Sequence, residues 1–160
     1  MNALRNQVES LGQTDQLTFS FVLLEFVKQA FPVPLQINID GVISSVWSIH
    51  RGTSPDIDAE LDGIFTEGSG SMLEALATDG STPDHHLASR VVYHSVVAVA
   101  YRVLPLDDFL SSFTYSGHQA FGAINVAESL GIPEQDLTDL LAMLDLTTCN
   151  RQDVLQAIAP

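Results

Sequence analysis

Residues 17 to 31, LTFSFVLLEFVKQAF, form the stretch on which the fold depends. Apolar side chains fill most of its positions, and at helical spacing only Thr18, Glu25 and Gln29 form a narrow polar stripe. The pattern predicts a helix that ends near Phe31, because two prolines follow. Surface helices carry a wide polar face, so a helix this apolar should be central in the fold or lie in an oligomer interface.

The segment that follows, LQINIDGVISSVW from residue 35 to residue 47, predicts a β-hairpin. An Asp40-Gly41 pair separates two runs with alternating apolar residues, and a two-residue turn of this kind needs the positive φ that glycine adopts readily. The strands would cover residues 35–39 and 42–47, with Leu35, Ile37, Val42 and Val46 on one face. A hairpin alone is only marginally stable, so it needs helices to pack on or a third strand, for which residues 91–103 are the candidate.

Helical patterns account for most of the remaining chain. Ser54-Pro55 should begin a short acidic helix, Gly131 should end another helix, and Asn150 with Asp153 should begin the last one. Helices are expected at residues 3–11, 14–31, 54–65, 71–79, 118–130, 133–146 and 150–159, with a short segment at 106–113 and a long helix at 82–104 as the alternative to the third strand. The expected fold is α+β but mainly α, with about six to eight helices and one small hairpin in a single globular domain over residues 1–160.

The charge balance excludes several classes of partner. The chain has 20 Asp and Glu against 6 Lys and Arg, which gives a formal net charge of -14. Nucleic acids and anionic membranes bind basic surfaces, so direct binding to either is disfavoured, whereas a cationic partner would be attracted. Cys149 is the only cysteine, no apolar signal sequence is present, and charged residues interrupt the longest apolar runs. These features predict a cytoplasmic protein that does not span a membrane.

The charge is concentrated in the middle of the chain. Residues 54–84, called the acidic segment below, contain eight carboxylates and no lysine or arginine. Clustered charges act together over a screening length of about 8 Å in physiological salt. The segment therefore predicts a docking face, and nearby aromatic residues could anchor the partner. The predicted partner-binding residues are Asp56, Asp58, Glu60, Asp62, Glu67, Glu74, Asp79 and Asp84, with Trp47, Phe65 and Tyr115 as aromatic anchors.

No motif in the sequence identifies a catalytic or metal centre. A calcium loop beginning at Asp58 has Ser69 where a bidentate glutamate is needed, and no two histidines have the i, i+4 spacing of a helical metal pair. We therefore predict no catalytic residue, metal or cofactor. A site assembled by folding stays open, because His50, His85, His86, His94 and His118 could meet an Asp or Glu.

Three functional hypotheses follow. The first is a non-catalytic acidic module that binds a basic protein, most simply an inhibitor that neutralises it in the manner of a bacterial immunity protein or a nucleic-acid mimic. The second is a small metal-dependent hydrolase built from histidines and carboxylates. The third is a dimeric helical regulatory or ligand-binding domain that associates through residues 17–31.

Overall fold

The computed structural model describes residues 1–30, 33–60 and 115–159, and within these ranges it is helical with no strand. A short 3-10 helix, Lys28–Ala30, continues the second α-helix, and residues 57–60 are also helical. The mainly helical class is therefore confirmed for the described residues. The α-helices are α1 (Asn2–Ser10), α2 (Gln13–Val27), α3 (Val33–His50), α4 (Tyr115–Ser129), α5 (Glu134–Ala142) and α6 (Arg151–Ile158).

Helix α2 is the centre of the fold. Every side chain from Leu17 to Glu25 is buried, and α3, α4 and α6 all pack against this helix. Helix α1 packs on α4 and reaches α2 through the hydrogen bond that Gln16 Nε2 donates to the Val8 carbonyl at 3.1 Å. Its main partner is α4, where Ala120, Ala123 and Ala127 are buried and share one helical face. Small side chains let two helices approach closely, which increases the apolar area that each removes from water. Side chains this fully buried place α2 at the centre of the described fold.

The predicted β-hairpin is wrong, because residues 33 to 50 form the single helix α3. Ile43, Val46 and Trp47 are buried at helical spacing, and Pro34 falls in the first turn, where a missing N–H leaves no hydrogen bond unmade. Ile37 is 65% exposed while Val46 is fully buried, so the two do not share the face that paired strands would give them. Burial against α2 outweighs the cost of Gly41 in a helix, which is about 1 kcal/mol relative to alanine.

The possible third strand at residues 91–103 lies outside the described residues. The same holds for the helices predicted at residues 71–79 and 82–104 and for the segment at residues 106–113.

Helices α3 and α4 end in the same way, with a glycine in the left-handed conformation. Gly131 has a φ of 70°, and the N–H groups of Gly131 and Ile132 donate to the carbonyls of Glu128 and Ala127 at 3.0 Å each. Gly52 has a φ of 69° and closes α3 by the same pair of bonds. Glycine adopts this conformation without steric strain. The predicted stop at Gly131 is therefore confirmed.

The last helix also begins as predicted. The Asn150 side chain accepts the backbone N–H of Asp153 at 3.0 Å, and the Asp153 carboxylate accepts the N–H of Asn150 at 2.9 Å. This reciprocal cap satisfies two donors that a helix start otherwise leaves unpaired. It also sets the position of the first residues of α6, which border the groove described below.

Candidate functional site

Of the acidic segment, the structure describes only residues 54–60. The Asp56 Oδ1 accepts the backbone N–H of Ala59 at 3.1 Å, so Asp56 caps the helical residues 57–60 in place of Ser54. Asp58 is exposed and has no partner among the described residues, and Glu60 is half-buried. The other carboxylates of the set, Asp62, Glu67, Glu74, Asp79 and Asp84, lie outside the described residues together with Phe65, and their role stays a prediction.

Trp47, the first of the predicted aromatic anchors, lies in the core. Its residue is 3% exposed, and its ring packs edge-on against Phe21 with 5.5 Å between the ring centroids. The guanidinium carbon of Arg51 lies 5.8 Å from the centre of the indole ring. Trp47 therefore presents little ring surface to a partner in this conformation. Tyr115 is the first residue of α4, and its use as an anchor stays a prediction.

A cluster of four charges joins α2, α3 and α6. The carboxylate of Glu25 is fully buried and accepts from Lys28 Nζ and Arg151 Nε, both at 2.6 Å. Asp40 Oδ1 binds the same two cations, at 2.9 Å from Lys28 Nζ and through Arg151 Nη2. Partial burial disfavours the charged form of Asp40, but the hydrogen bonds from Lys28 and Arg151 outweigh this and lower its pKa. Two acids and two bases leave the cluster without net charge.

A second ion-pair group joins α1 to α4 through Glu128. Arg5 donates to the two carboxylate oxygens at 2.9 and 2.7 Å, and the amino group of Met1 lies 3.0 Å from Oε1. The hydrogen bond from Arg5, together with that from the chain N-terminus, lowers the pKa of Glu128 to about 2. Glu128 is therefore a carboxylate that stabilises the fold while it is charged.

Arg51 is the described cation that has no carboxylate partner. It donates from Nε to the Cys149 carbonyl at 2.8 Å, from Nη1 to the Thr147 carbonyl at 3.0 Å, and from Nη2 to the Leu146 carbonyl at 2.7 Å. A further bond from Nη2 reaches Thr18 Oγ1 at 3.2 Å. These acceptors are neutral, so hydrogen bonds and not an ion pair hold Arg51 in the described structure.

Two polar side chains of the α2 stripe thus bind arginines from other parts of the chain. Thr18 accepts from Arg51 and Glu25 accepts from Arg151, both inside the protein. The sequence carried a usable signal for this arrangement, since polar side chains on a helix with no solvent-facing side need buried partners. Their partners could not be named, because both arginines are distant in the sequence.

Most of the described carboxylates have no partner of opposite charge among the described residues. Each described lysine and arginine is engaged within the chain, as the three preceding groups show. Among the described residues the carboxylates without a cationic partner are Glu9, Asp15, Asp56, Asp58, Glu60, Asp136, Asp139, Asp145 and Asp153, most of them exposed. The surface is consequently acidic beyond the acidic segment, including a C-terminal set that the sequence analysis did not select.

A groove of about 370 Å³ lies between α3 and the start of α6. Trp47 and Arg51 border it together with the hydroxyl residues Ser44, Ser48 and Thr53, and residues 150–152 form the opposite wall. We call it the α3–α6 groove. Its size falls in the range of small-molecule sites in proteins, which is roughly 300 to 1,000 Å³.

Nothing in the described residues forms a metal or nucleophile site. Across residues 1–30, 33–60 and 115–159, no three His, Cys, Asp or Glu side chains lie close enough together to hold a metal ion. His50 places Nε2 2.9 Å from Thr18 Oγ1 and packs edge-on against Phe21, His118 lies within α4, and His85, His86 and His94 lie outside the described residues. Burial raises the pKa of the Cys149 thiol despite the nearby Arg51, which makes a reactive thiolate unfavourable.

The described helices include none with the length and apolar character that a bilayer crossing needs. No protein family, curated protein or solved structure shows a significant similarity to this chain. Its function must therefore be inferred from its own residues.

Proposed function

We propose that this chain is a non-catalytic protein that binds a cationic partner protein through its acidic surface. The observation that carries the proposal is the imbalance between engaged and unmatched charges. The described lysine and arginines are all engaged inside the fold, while nine described carboxylates have no cationic partner. Such a surface attracts a basic protein and repels nucleic acid and anionic lipid.

The finer form of the proposal is an inhibitor that neutralises a basic protein in the cytoplasm, of the immunity-protein or nucleic-acid-mimic type. The net charge of -14 supports it, because close pairs between carboxylates and desolvated basic side chains can contribute about 1.5 to 7 kcal/mol of coupling. The acidic segment is its proposed docking face. Among the described residues of the acidic segment, Asp58 is the most suitable docking residue, since it is exposed and takes no part in capping or ion pairing there.

Charge reversal tests the docking face. The immobilised chain is used to capture basic proteins at low salt, and the captured protein is purified so that its association rate can be measured. We expect Asp58→Lys with Asp62→Lys to slow association about ten-fold or more at low salt, because electrostatic steering raises association rates by about 10 to 10³-fold. The melting temperature should change little, since Asp58 is exposed and exposed charges contribute little to stability.

Glu9→Lys is the matched control, because Glu9 is an exposed, unpaired carboxylate on α1. It should leave the association rate within about two-fold of the unmodified chain if docking is local. An unchanged rate in the double variant, or an equal loss in the control, would argue against the acidic segment as the docking face.

Of the two other hypotheses, one keeps an observation in its favour. The α3–α6 groove is consistent with a helical ligand-binding domain, and a dimer contact in such a domain would have to use the end of the 17–31 stretch, near residues 29–31, because Leu17 to Glu25 are buried. The metal-dependent hydrolase has no support among the described residues, and we do not propose it.

A further inference from the structure

Two large apolar side chains are strongly exposed at the start of α3. Val33 and Ile37 are each 65% exposed, and their four-residue spacing places them on one side of the helix. Gln29 and Ala30, just before α3, are exposed as well. We call these four residues the α2–α3 corner. Adjacent exposed apolar side chains, unlike single scattered ones, indicate a surface that another protein covers.

A cleft of about 250 Å³ opens beside the two apolar side chains. Its walls are formed by Lys28, Val33, Gln36, Ile37 and Asp40. The two charged residues of the wall bind each other, with 2.9 Å between Lys28 Nζ and Asp40 Oδ1. The α2–α3 corner therefore combines an apolar ridge with a recess in which a side chain of another molecule can be buried, as in the centre of a protein interface.

The charge near the corner decides which kind of protein can cover it. Residues 26–53 contain one carboxylate, Asp40, against Lys28 and Arg51. That carboxylate is already bound by Lys28 and Arg151. A basic partner is attracted by unmatched carboxylates, and residues 26–53 offer none. The corner is therefore unsuited to the cationic partner proposed above and fits an apolar surface of low charge.

The same corner on a second copy of the chain is a surface of this kind. A two-fold contact brings identical patches together, so an apolar patch without unmatched charge is complementary to itself. A contact between two copies through the acidic parts of the surface would instead bring like charges together, which opposes binding. We infer that the chain forms a two-fold symmetric homodimer through the α2–α3 corner. This inference does not depend on the cationic partner.

Salt should affect the homodimer and the cationic partner in opposite directions. Each copy carries a net charge of -14, so two copies repel each other at long range, and salt screens this repulsion. Analytical ultracentrifugation of the full chain, over a concentration series at low and at high sodium chloride, measures the dissociation constant of the dimer. We expect a reversible monomer–dimer equilibrium whose dissociation constant falls as salt rises, whereas salt releases a cationic partner. A monomer at every concentration and at both salt levels overturns the inference.

Two matched variants test the location of the contact. Ile37→Glu and Met143→Glu make the same type of change at side chains that are 65% and 62% exposed, the second of them on a different helix end. We expect Ile37→Glu to raise the dissociation constant about ten-fold or more, because a two-fold contact brings the two new charges together. Met143→Glu should leave it within about two-fold, since the added charge lies outside the corner.

The melting temperature of the dilute monomer shows whether the corner is free in a single chain. We expect Ile37→Glu to leave it unchanged, because the side chain is exposed in the monomer. A clear loss of thermal stability would mean that the chain itself covers the corner, and this result overturns the inference, as does an equal effect of both variants on dimerisation. Capture of a cationic partner is tested separately by charge reversal at Asp58 and Asp62, so the two proposals fail independently.

Discussion

Glu25 is a fully buried carboxylate within an otherwise apolar stretch of sequence. It receives two hydrogen bonds of 2.6 Å from Lys28 and Arg151. Taking a carboxylate out of water is expensive, so this position is tolerated only because both cations are held against it. The pairing also fixes α6 against α2, since Arg151 is the first residue of α6.

Removing the charge of Glu25 should therefore destabilise the fold strongly. We expect Glu25→Gln to lower the free energy of unfolding by about 3 to 5 kcal/mol, because Lys28 and Arg151 would share Asp40 alone. Urea unfolding followed by circular dichroism measures the change. Glu9→Gln is the control, and it should stay within about 0.5 kcal/mol because Glu9 is exposed and unpaired. Equal effects of the two variants would contradict a stabilising role for the cluster.

At the scale of elements, α3 is where local sequence and final structure disagree. Its Asp40-Gly41 pair favours a tight turn, yet both residues lie inside a helix and Asp40 is bound by Lys28 and Arg151. The short apolar runs around the pair fit strand and helix periodicity equally well. The structure therefore depends on contacts that are formed only when α2 and α6 are in place.

Alanine at two glycines distinguishes a helix from a turn at this position. Gly41→Ala should stabilise the protein by about 0.5 to 1 kcal/mol, because alanine loses less conformational freedom than glycine in a helix. Gly131→Ala should destabilise it by about 1 to 2 kcal/mol, since an alanine there must adopt a φ of 70°, and no atom lies within 4 Å of the added methyl group to change this balance. Urea midpoints give both values. A loss of stability in Gly41→Ala would contradict the helical assignment of α3.

At the scale of the whole molecule, charge acts in two separate ways. A small number of carboxylates bind cations inside the fold, and a larger number stay unmatched on the surface and give the protein its net charge of -14. Glu128 belongs to the first group and ties the beginning of the chain to α4. Its effect on stability can be separated from the general repulsion among surface carboxylates by comparing variants at several pH values.

We expect the stabilisation by Glu128 to be lost in acid. Its pKa is lowered from 4.5 in the unfolded chain to about 2 in the fold, so the charged form stabilises the native state above pH 4.5 and this contribution disappears as the pH falls through about 2. The difference in melting temperature between the unmodified protein and Glu128→Gln should be largest near neutral pH and shrink toward pH 2. Arg5→Gln should reduce the same pH-dependent difference, because it removes the main hydrogen bond. A difference that stays constant with pH would contradict this account.

The sequence by itself determined the mainly helical class, the glycine stop at Gly131 and the cap of α6, and for α2 it left a central position and an oligomer interface as alternatives. Each of these follows from local periodicity, or from donors and φ angles within a few residues, which do not depend on distant partners. The charge of -14 and its concentration at residues 54–84 were likewise evident from composition.

Only the tertiary structure decided that residues 33–50 form a helix, that Trp47 is buried, and that Arg51 and Arg151 border one groove. The physical reason is common to all three. Burial and buried hydrogen bonds are contributed by residues far apart in the chain, and their free energies exceed the local preferences of an Asp-Gly pair or a polar stripe. Which arginine binds which polar group is decided when the helices pack. The sequence alone does not indicate these pairs, because their members lie far apart along the chain.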